Sequence, residues 1–241
     1  PFDWHSTTDG FGDILAAAEG PERSRRSGFD AVIGNPPYVR QEMLSDFKEY
    51  FQRHYESFHG VADLYVYFVE KGVSLLREGG YYSIIVSSSF LRTSFAEPLR
   101  AFLKRVAAVL RIVDFGGLAV FENAKDTYVC VPLLCRRPQP KHTQVASVTS
   151  LDFEDLDAYV SSKAYTIPHQ NLSPEVWSLQ ADSEISVFQK VVKVGEPLGG
   201  FVERRFFRGV TTGLNHAFVI DDETRKTLVK KDKRSAHLIK P

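Results

Sequence analysis

Along the chain, short continuous apolar runs alternate with longer stretches whose apolar residues recur at helical spacing. Residues 29–34 (Phe-Asp-Ala-Val-Ile-Gly) form one such run, stopped by Asn35-Pro36-Pro37. This predicts a buried strand that ends at the asparagine. A polar amphipathic helix is expected over 42–55, and a second helix over 62–77, closed by Gly79-Gly80. Residues 81–86 predict the next strand, Ser87-Ser88-Ser89 its exit, and residues 95–109 a third helix. Two further strands follow at 110–115 and 128–134. Their link is too short for a helical crossover, so this pair is expected to be antiparallel. The alternation implies an α/β fold with a mostly parallel sheet covered on both faces, the antiparallel strand being an edge variation.

Beyond the sheet, residues 136–142 carry two prolines and predict a surface connection leaving it. Residues 151–179 lack a regular period, with Tyr165, Ile167 and Trp177 as packing anchors. A helix is expected from about Asp182, carrying Ile185, Phe188, Val191 and Val192. After Gly195 the chain changes to glycine-rich turns, a basic bias and a short strand at 217–220. A domain boundary near 180 therefore separates 1–180 from 181–241.

Composition narrows the classes. At 241 residues the chain holds one large domain, or one domain and a portion of another. Thirty basic and thirty acidic side chains balance, which argues against a chain that coats nucleic acid indiscriminately. From residue 201 onward, however, ten Lys and Arg face five Asp and Glu. On charge alone a solvated surface and a nucleic-acid patch stay equally open. Cys130 and Cys135 lie five residues apart in one predicted strand, roughly 17 Å, where a disulfide tolerates about 7 Å. Reduced thiols and a cytoplasmic location are expected. No metal-ligand spacing, signal peptide or membrane-length apolar run is present in the sequence.

The candidate chemistry sits at Asn35-Pro36-Pro37-Tyr38. Ligands of open α/β sheets gather at the carboxyl ends of strands, so Asn35 and Ser87-Ser88-Ser89 are expected to share one cleft. Each proline fixes φ and removes an N–H, and a residue before proline is held extended. The turn thus offers an amide oxygen and a backbone carbonyl as two fixed acceptors, with the flat ring of Tyr38 beside them. Two acceptors suit an exocyclic amino group on a planar ring. Binding both its hydrogens favours a tetrahedral nitrogen and frees the lone pair for attack on a methyl sulfonium. Such preorganised groups contribute on the order of 3 kcal/mol each, and stacking on Tyr38 roughly 1–3 kcal/mol. A base so held must leave its duplex.

Phe29 to Tyr38, FDAVIGNPPY, resembles the catalytic motif of DNA adenine-N6 methyltransferases. Three later stretches, ADLYVYFVEKG, GGYYSIIVSSSFLR and VDFGGLAVFENAKDTYVCVPLL, are similar to the same family in the same order. FFRGVTTGLNHAFVIDDETRKTLV looks like the opening of the target-recognition domain of TaqI-like enzymes. The resemblance implies a Rossmann-like S-adenosylmethionine methyltransferase sheet, incomplete at its N-terminus, followed by the start of a recognition domain. It implies Asn35 and Pro36 as acceptors for the adenine amine and Tyr38 as a stacking face. Phe121 matches the aromatic on the other side of the flipped base. Phe68 matches a contact to the cofactor's adenine, a core role being equally open, and Asp3 an acid reaching that adenine. Double-stranded DNA is the implied partner, with Arg208, Thr211 and Thr212 in a glycine-flanked turn as candidate contacts.

The chain departs from that pattern where a glycine-rich strand-to-helix turn should precede Asn35. Gly10-Phe11-Gly12 follows Ser6-Thr7-Thr8-Asp9 rather than an apolar strand, and so reads as a plain loop. The chain is therefore expected to lack N-terminal and C-terminal parts of its polypeptide and to be inactive alone. Two other readings stay open. One is methylation of another planar nitrogen (cytosine N4, RNA guanine or protein glutamine). The other is a DNA-binding or specificity module without catalysis.

Overall fold

The computed structural model describes residues 2–16, 27–122, 128–181, 187, 190–191, 193–196, 198–202 and 220–239. The chain forms two compact units, Pro1–Val187 and Phe188–Pro241. The first contains, in order, α1 (Gly12–Leu15), β1 (Phe29–Gly34), α2 (Lys48–His54), α3 (Tyr65–Ser74), β2 (Leu76–Ile84) and β3 (Val86–Ser87). It continues with α4 (Glu97–Val106), β4 (Ala108–Asp114), β5 (Val129–Cys135), β6 (His142–Ser147), α5 (Leu156–Lys163) and β7 (Tyr165–Pro168).

These strands make one mixed sheet in the order β1-β2-β5-β4-β6-β7, with β3 also pairing β5. The pairs β1/β2 and β4/β6 are parallel, while β5 runs antiparallel to both β2 and β4. The expected antiparallel pair is therefore present, but β5 sits in the middle of the sheet and not at its edge. Val129, Cys130, Leu134 and Cys135 are accordingly buried. Both cysteines are free thiols, as their separation along one strand requires.

The apolar run at 29–34 predicts a buried strand. Instead β1 is an outer strand paired only with β2 among the described residues, and Ile33 is 86% exposed. An apolar run suits a covered strand, and only pairing decides whether a cover is supplied. The glycines at 79–80 also differ from expectation. They lie inside β2, where the register against β1 shifts between Phe29 and Ala31. Gly79 has φ +77°, a conformation that favours glycine. The expected helix over 42–55 is a 3-10 segment, Gln41–Phe47, followed by α2.

Residues 136–142 do not take the chain away from the sheet. It returns at once as β6, and the stretch without a regular period contains α5 and β7. Both strands are short, and β6 alternates weakly, so periodicity does not reveal them. The three anchors do pack. Ile167 and Trp177 are buried, and the Tyr165 hydroxyl donates to the Leu179 carbonyl at 2.7 Å.

Helices α3 and α4 cover one face of the sheet over a large core that includes Val66, Leu99, Leu103, Ile112 and Leu134. Val113, Phe115, Val129, Ala146 and Val160 pack together as a second, smaller core. Gly72 in α3 lies directly against Tyr82 of β2, where a Cβ would meet the ring at 2.2 Å. Overpacking of this kind typically costs about 1–3 kcal/mol. Gly72→Ala is expected to destabilise the protein by that amount in denaturant titration.

In the second unit, α6 (Leu198–Phe201) and α7 (Asp222–Lys231) are described. Asp221 caps α7, its carboxylate accepting the Thr224 N–H at 2.7 Å. Lys226, Lys230, Lys231, Lys233 and Arg234 are exposed.

Candidate active site

Strands β1 and β2 run parallel and end together, Gly34 beside Ile84. The pairing continues one step further, with the Ile85 N–H donating to the Gly34 carbonyl at 3.2 Å. At the same level the ladder to β5 is interrupted. Ser83 pairs Leu133 and Val86 pairs Cys130, leaving Ile84 and Ile85 opposite Pro132 and Val131. Proline has no N–H to give there. The Ile85 carbonyl is left to accept the Tyr38 hydroxyl across a long 3.4 Å.

Asn35-Pro36-Pro37-Tyr38 emerges from this point as an extended turn. Pro36 is buried, Asn35 and Pro37 are exposed, and Tyr38 is 40% exposed. The Val39 N–H donates to the Pro37 carbonyl at 3.0 Å, tightening the exit. Among the described residues, neither the Asn35 side-chain amide nor the Pro36 carbonyl is engaged by another group. Two acceptors are thus held on a stiff backbone and left available.

The turn stands between two cavities. Asn35, Pro36 and Pro37 line the smaller one, of about 470 Å³, together with Trp4, Phe68 and Lys71. Tyr38 lines the larger one, of about 800 Å³, with Tyr65, Ser87, Ser88, Ser89 and Asp114. The expected single cleft for Asn35 and the three serines is therefore two adjoining spaces. The rigid Pro36-Pro37 pair separates Asn35 from Tyr38, and each opens to its own side. Phe121 meets Tyr38, ring centroids 5.8 Å apart and planes at 70°, so two aromatic faces border the place beside the turn.

Phe68 is not a core residue. It stands 45% exposed on α3 and lines the smaller cavity, while its neighbours Tyr67 and Val69 are buried. Asp3 does not line that cavity; its carboxylate accepts the His5 N–H at 3.0 Å. Its neighbour Trp4 does, and the Lys71 ammonium lies 5.7 Å from the Trp4 ring centroid. Sequence reasoning misses Trp4 and Lys71; the available signal is an aromatic-rich start, Phe2, Trp4 and Phe11, which packs ring on ring against Phe29 of β1. Gly10 lies in the loop that backs this cluster, whereas Gly12 opens α1, so the expected plain loop runs into a helix; a Cβ on either would meet the Asp3 or the His5 carbonyl. Arg208, Thr211 and Thr212 lie outside the described residues.

Burial raises the phenols of Tyr38 and Tyr67 to about 12. It also pushes up those of Tyr55, Tyr65 and Tyr82. In the unfolded chain these groups ionise near pH 10. Their folded pKa values are raised, so the stability they contribute is present below pH 10 and lost as pH climbs toward 12. Denaturation midpoints are expected to fall from about pH 10 upward, with tyrosinate absorbance rising alongside unfolding. Full tyrosinate absorbance from the folded protein near pH 10 would contradict this.

Residues 2–121, which carry this turn, match the family model described as Eco57I restriction-modification methylase. Over these residues the chain belongs to the Eco57I-type restriction-modification methylase family. Among curated relatives, the type II restriction enzyme and methyltransferase RM.Eco57I of Escherichia coli is 26% identical over 200 residues, which is 79% of this chain and 19% of the relative. The type II methyltransferase M.BstVI of Geobacillus stearothermophilus is 28% identical over 215 residues, 81% of this chain and 38% of the relative. The chain thus spans well under half the length of either. A solved structure from Listeria monocytogenes, described as a class I S-adenosylmethionine-dependent methyltransferase, covers 62% of this chain at 18% identity with a TM-score of 0.45. Among the described residues of this Eco57I-type chain, no helix is long and apolar enough to cross a membrane, and no cluster of side chains could hold a metal.

Proposed function

We propose that this chain carries the base-gripping side of an adenine-N6 DNA methyltransferase within a cytoplasmic restriction-modification or phage-defence protein. One observation carries the reading: two unengaged acceptors, Asn35 and Pro36, line a cavity with aromatic faces, and the next side chain but one, Tyr38, which meets Phe121, lines a second cavity. The smaller cavity fits the adenosine moiety of S-adenosyl-L-methionine. Trp4, Phe68 and Pro37 offer it flat apolar surfaces. When bound, that cofactor supplies an electrophilic methyl group on a sulfonium.

On the other side, a nucleotide turned out of its duplex enters the larger cavity and its ring lies against Tyr38, with Phe121 at its edge. The Asn35 side-chain oxygen and the Pro36 carbonyl accept the two amine hydrogens. The nitrogen lone pair is then directed toward the smaller cavity. These acceptors are already in place and need no reorganisation as charge develops on nitrogen, which is the main source of rate in sites of this kind.

This reading includes the rest of the polypeptide. The smaller cavity is bordered by Val32, Ile33 and Gly34 of the outer strand β1, and Ile33 is 86% exposed. A methyl-transfer site must exclude water, so further chain is expected to cover this edge, and the 241 residues alone are expected to be inactive. We assign residues 181–241 to the start of the recognition domain, with Arg208, Thr211 and Thr212 and the exposed lysines of α7 approaching DNA.

The test is nucleoside analysis after incubating the full-length protein with labelled cofactor and unmethylated duplex DNA, RNA or protein extract. Label in N6-methyladenine is expected. Label confined to N4-methylcytosine, RNA or protein would replace this reading with the corresponding nitrogen. DNA binding without label in any acceptor would leave a specificity module.

A further inference from the structure

The larger cavity contains a set of hydroxyls whose hydrogen bonds leave one proton over. Ser87 donates its hydroxyl to the Ser89 oxygen at 2.9 Å, and its own oxygen accepts the Ser89 N–H at 3.3 Å. The Ser89 and Tyr65 hydroxyls share a hydrogen bond at 3.0 Å. Three hydroxyl protons thus serve two bonds. If Ser89 donates to Tyr65, the Tyr65 proton is free; if Tyr65 donates, the Ser89 proton is free. In either arrangement one O–H donor remains among residues that line the cavity.

Its surroundings favour donation over ionisation. Tyr65 is 3% exposed on α3, and burial raises its phenol well above the ordinary value, so it stays protonated. The three residues are also held in place. The Ser89 carbonyl accepts the Thr93 N–H at 3.0 Å and the Thr93 hydroxyl at 2.9 Å. Arg100 in turn holds the Thr93 carbonyl at 2.9 Å. The relay begins two residues beyond Ile85, whose carbonyl receives the Tyr38 hydroxyl, so it lies on the same side of the turn as the stacking ring.

We propose that the Tyr65–Ser89 pair donates its spare proton to a ring nitrogen beside the amine of the turned-out base, N1 or N7 of a purine. It is thereby a specificity-determining element of the site. The proposal rests on the reading above, in which the base enters this cavity. It adds a donor to the two acceptors at Asn35 and Pro36. A donor paired with amine acceptors selects a base that carries an unprotonated ring nitrogen next to its amine. Where N1 is the acceptor it rejects guanine and thymine, whose corresponding ring position is itself an N–H donor, because two donors would face each other without an acceptor.

The experiment uses the full-length protein and duplexes built on the site that it methylates. Adenine at the target is replaced by 1-deazaadenine or 7-deazaadenine, in which one ring nitrogen becomes C–H. With the wild type, one of the two analogues is expected to lower kcat/KM about tenfold, the loss of one hydrogen bond. With Tyr65→Phe/Ser89→Ala, that same analogue is expected to match adenine to within about twofold, since the donor is gone. The cavity-filling ring of residue 65 is kept, and an unchanged melting temperature shows that the variant is folded. An analogue penalty identical in wild type and double variant, or none in either, overturns the proposal while leaving adenine methylation standing. Absence of methylation on every duplex instead refutes the reading on which it rests. Should the double variant not fold, Ser89→Ala and Tyr65→Phe are compared singly. Each moves the spare proton to the other hydroxyl, so an analogue penalty unchanged in both overturns the proposal.

Discussion

Asn35→Ala in the full-length protein is expected to lower methyl transfer about 10²–10³-fold, the usual effect of deleting one preorganised polar group at a developing charge. Cofactor and DNA affinities are expected to stay close to wild type. The asparagine follows the end of β1, and among the described residues its amide makes no hydrogen bond to another side chain. Its removal therefore disturbs little of the fold. The Pro36 carbonyl remains, which is why transfer does not vanish. Asn35→Asp keeps an acceptor at the same reach and is expected to retain more activity than alanine. At Tyr38, phenylalanine is expected to be mild, because the hydroxyl makes only the 3.4 Å contact to Ile85. Alanine removes the stacking face and loses about tenfold or more. Single-turnover kinetics separate these effects from binding. Transfer at the wild-type rate by Asn35→Ala would sink the acceptor role.

The second large effect concerns stability. Arg100 is fully buried in α4, makes no salt bridge among the described residues, and spends its guanidinium on four backbone carbonyls. It donates to Phe90 and Pro174 at 2.6 Å, to Glu175 at 2.7 Å and to Thr93 at 2.9 Å. The carbonyls belong to two segments that are far apart in sequence, so this one side chain ties residues 174–175 to the wall of the larger cavity. Its cation is penalised by burial, which lowers its pKa, and is offset by these charge-assisted bonds. Arg100→Met fills similar space but leaves the carbonyls without donors. Each such bond contributes about 1.5–3 kcal/mol, and partial rewetting returns some of it. A net loss of about 4 kcal/mol is expected in denaturant titration. Arg100→Lys, with a single ammonium in place of a planar fork, recovers only a fraction. A loss below about 1 kcal/mol for the methionine variant would show that the carbonyls find other donors.

Much of the candidate site is legible in the sequence because proline acts locally. Pro36 and Pro37 restrict their own backbone and that of Asn35 wherever the chain folds, so a stiff turn with unengaged acceptors can be read from four letters. Phe121 is legible only by resemblance, since nothing near it in sequence says that it meets Tyr38. Trp4 and Lys71 escape such reasoning because their shared cavity is made by packing residues 2–15 onto β1 and α3. Phe68 shows the limit of periodicity: its spacing with Leu64 and Tyr65 fits a core face, yet it lies at a cavity. Arg100 carries no signal at all, being one of several bases in an amphipathic stretch.

What the sequence by itself determined is therefore local: where β1 ends, which turn is stiff, and that the two cysteines of one strand cannot bridge. Tertiary structure alone decided that β5 wedges between β2 and β4, that β1 is an outer strand, and that the prolines divide the space beside the turn into a pair of cavities. The reason is physical. Steric limits at proline act within two or three residues, whereas strand order, burial and cavity walls depend on which distant segments pair. That pairing is settled by the summed packing of the whole sheet.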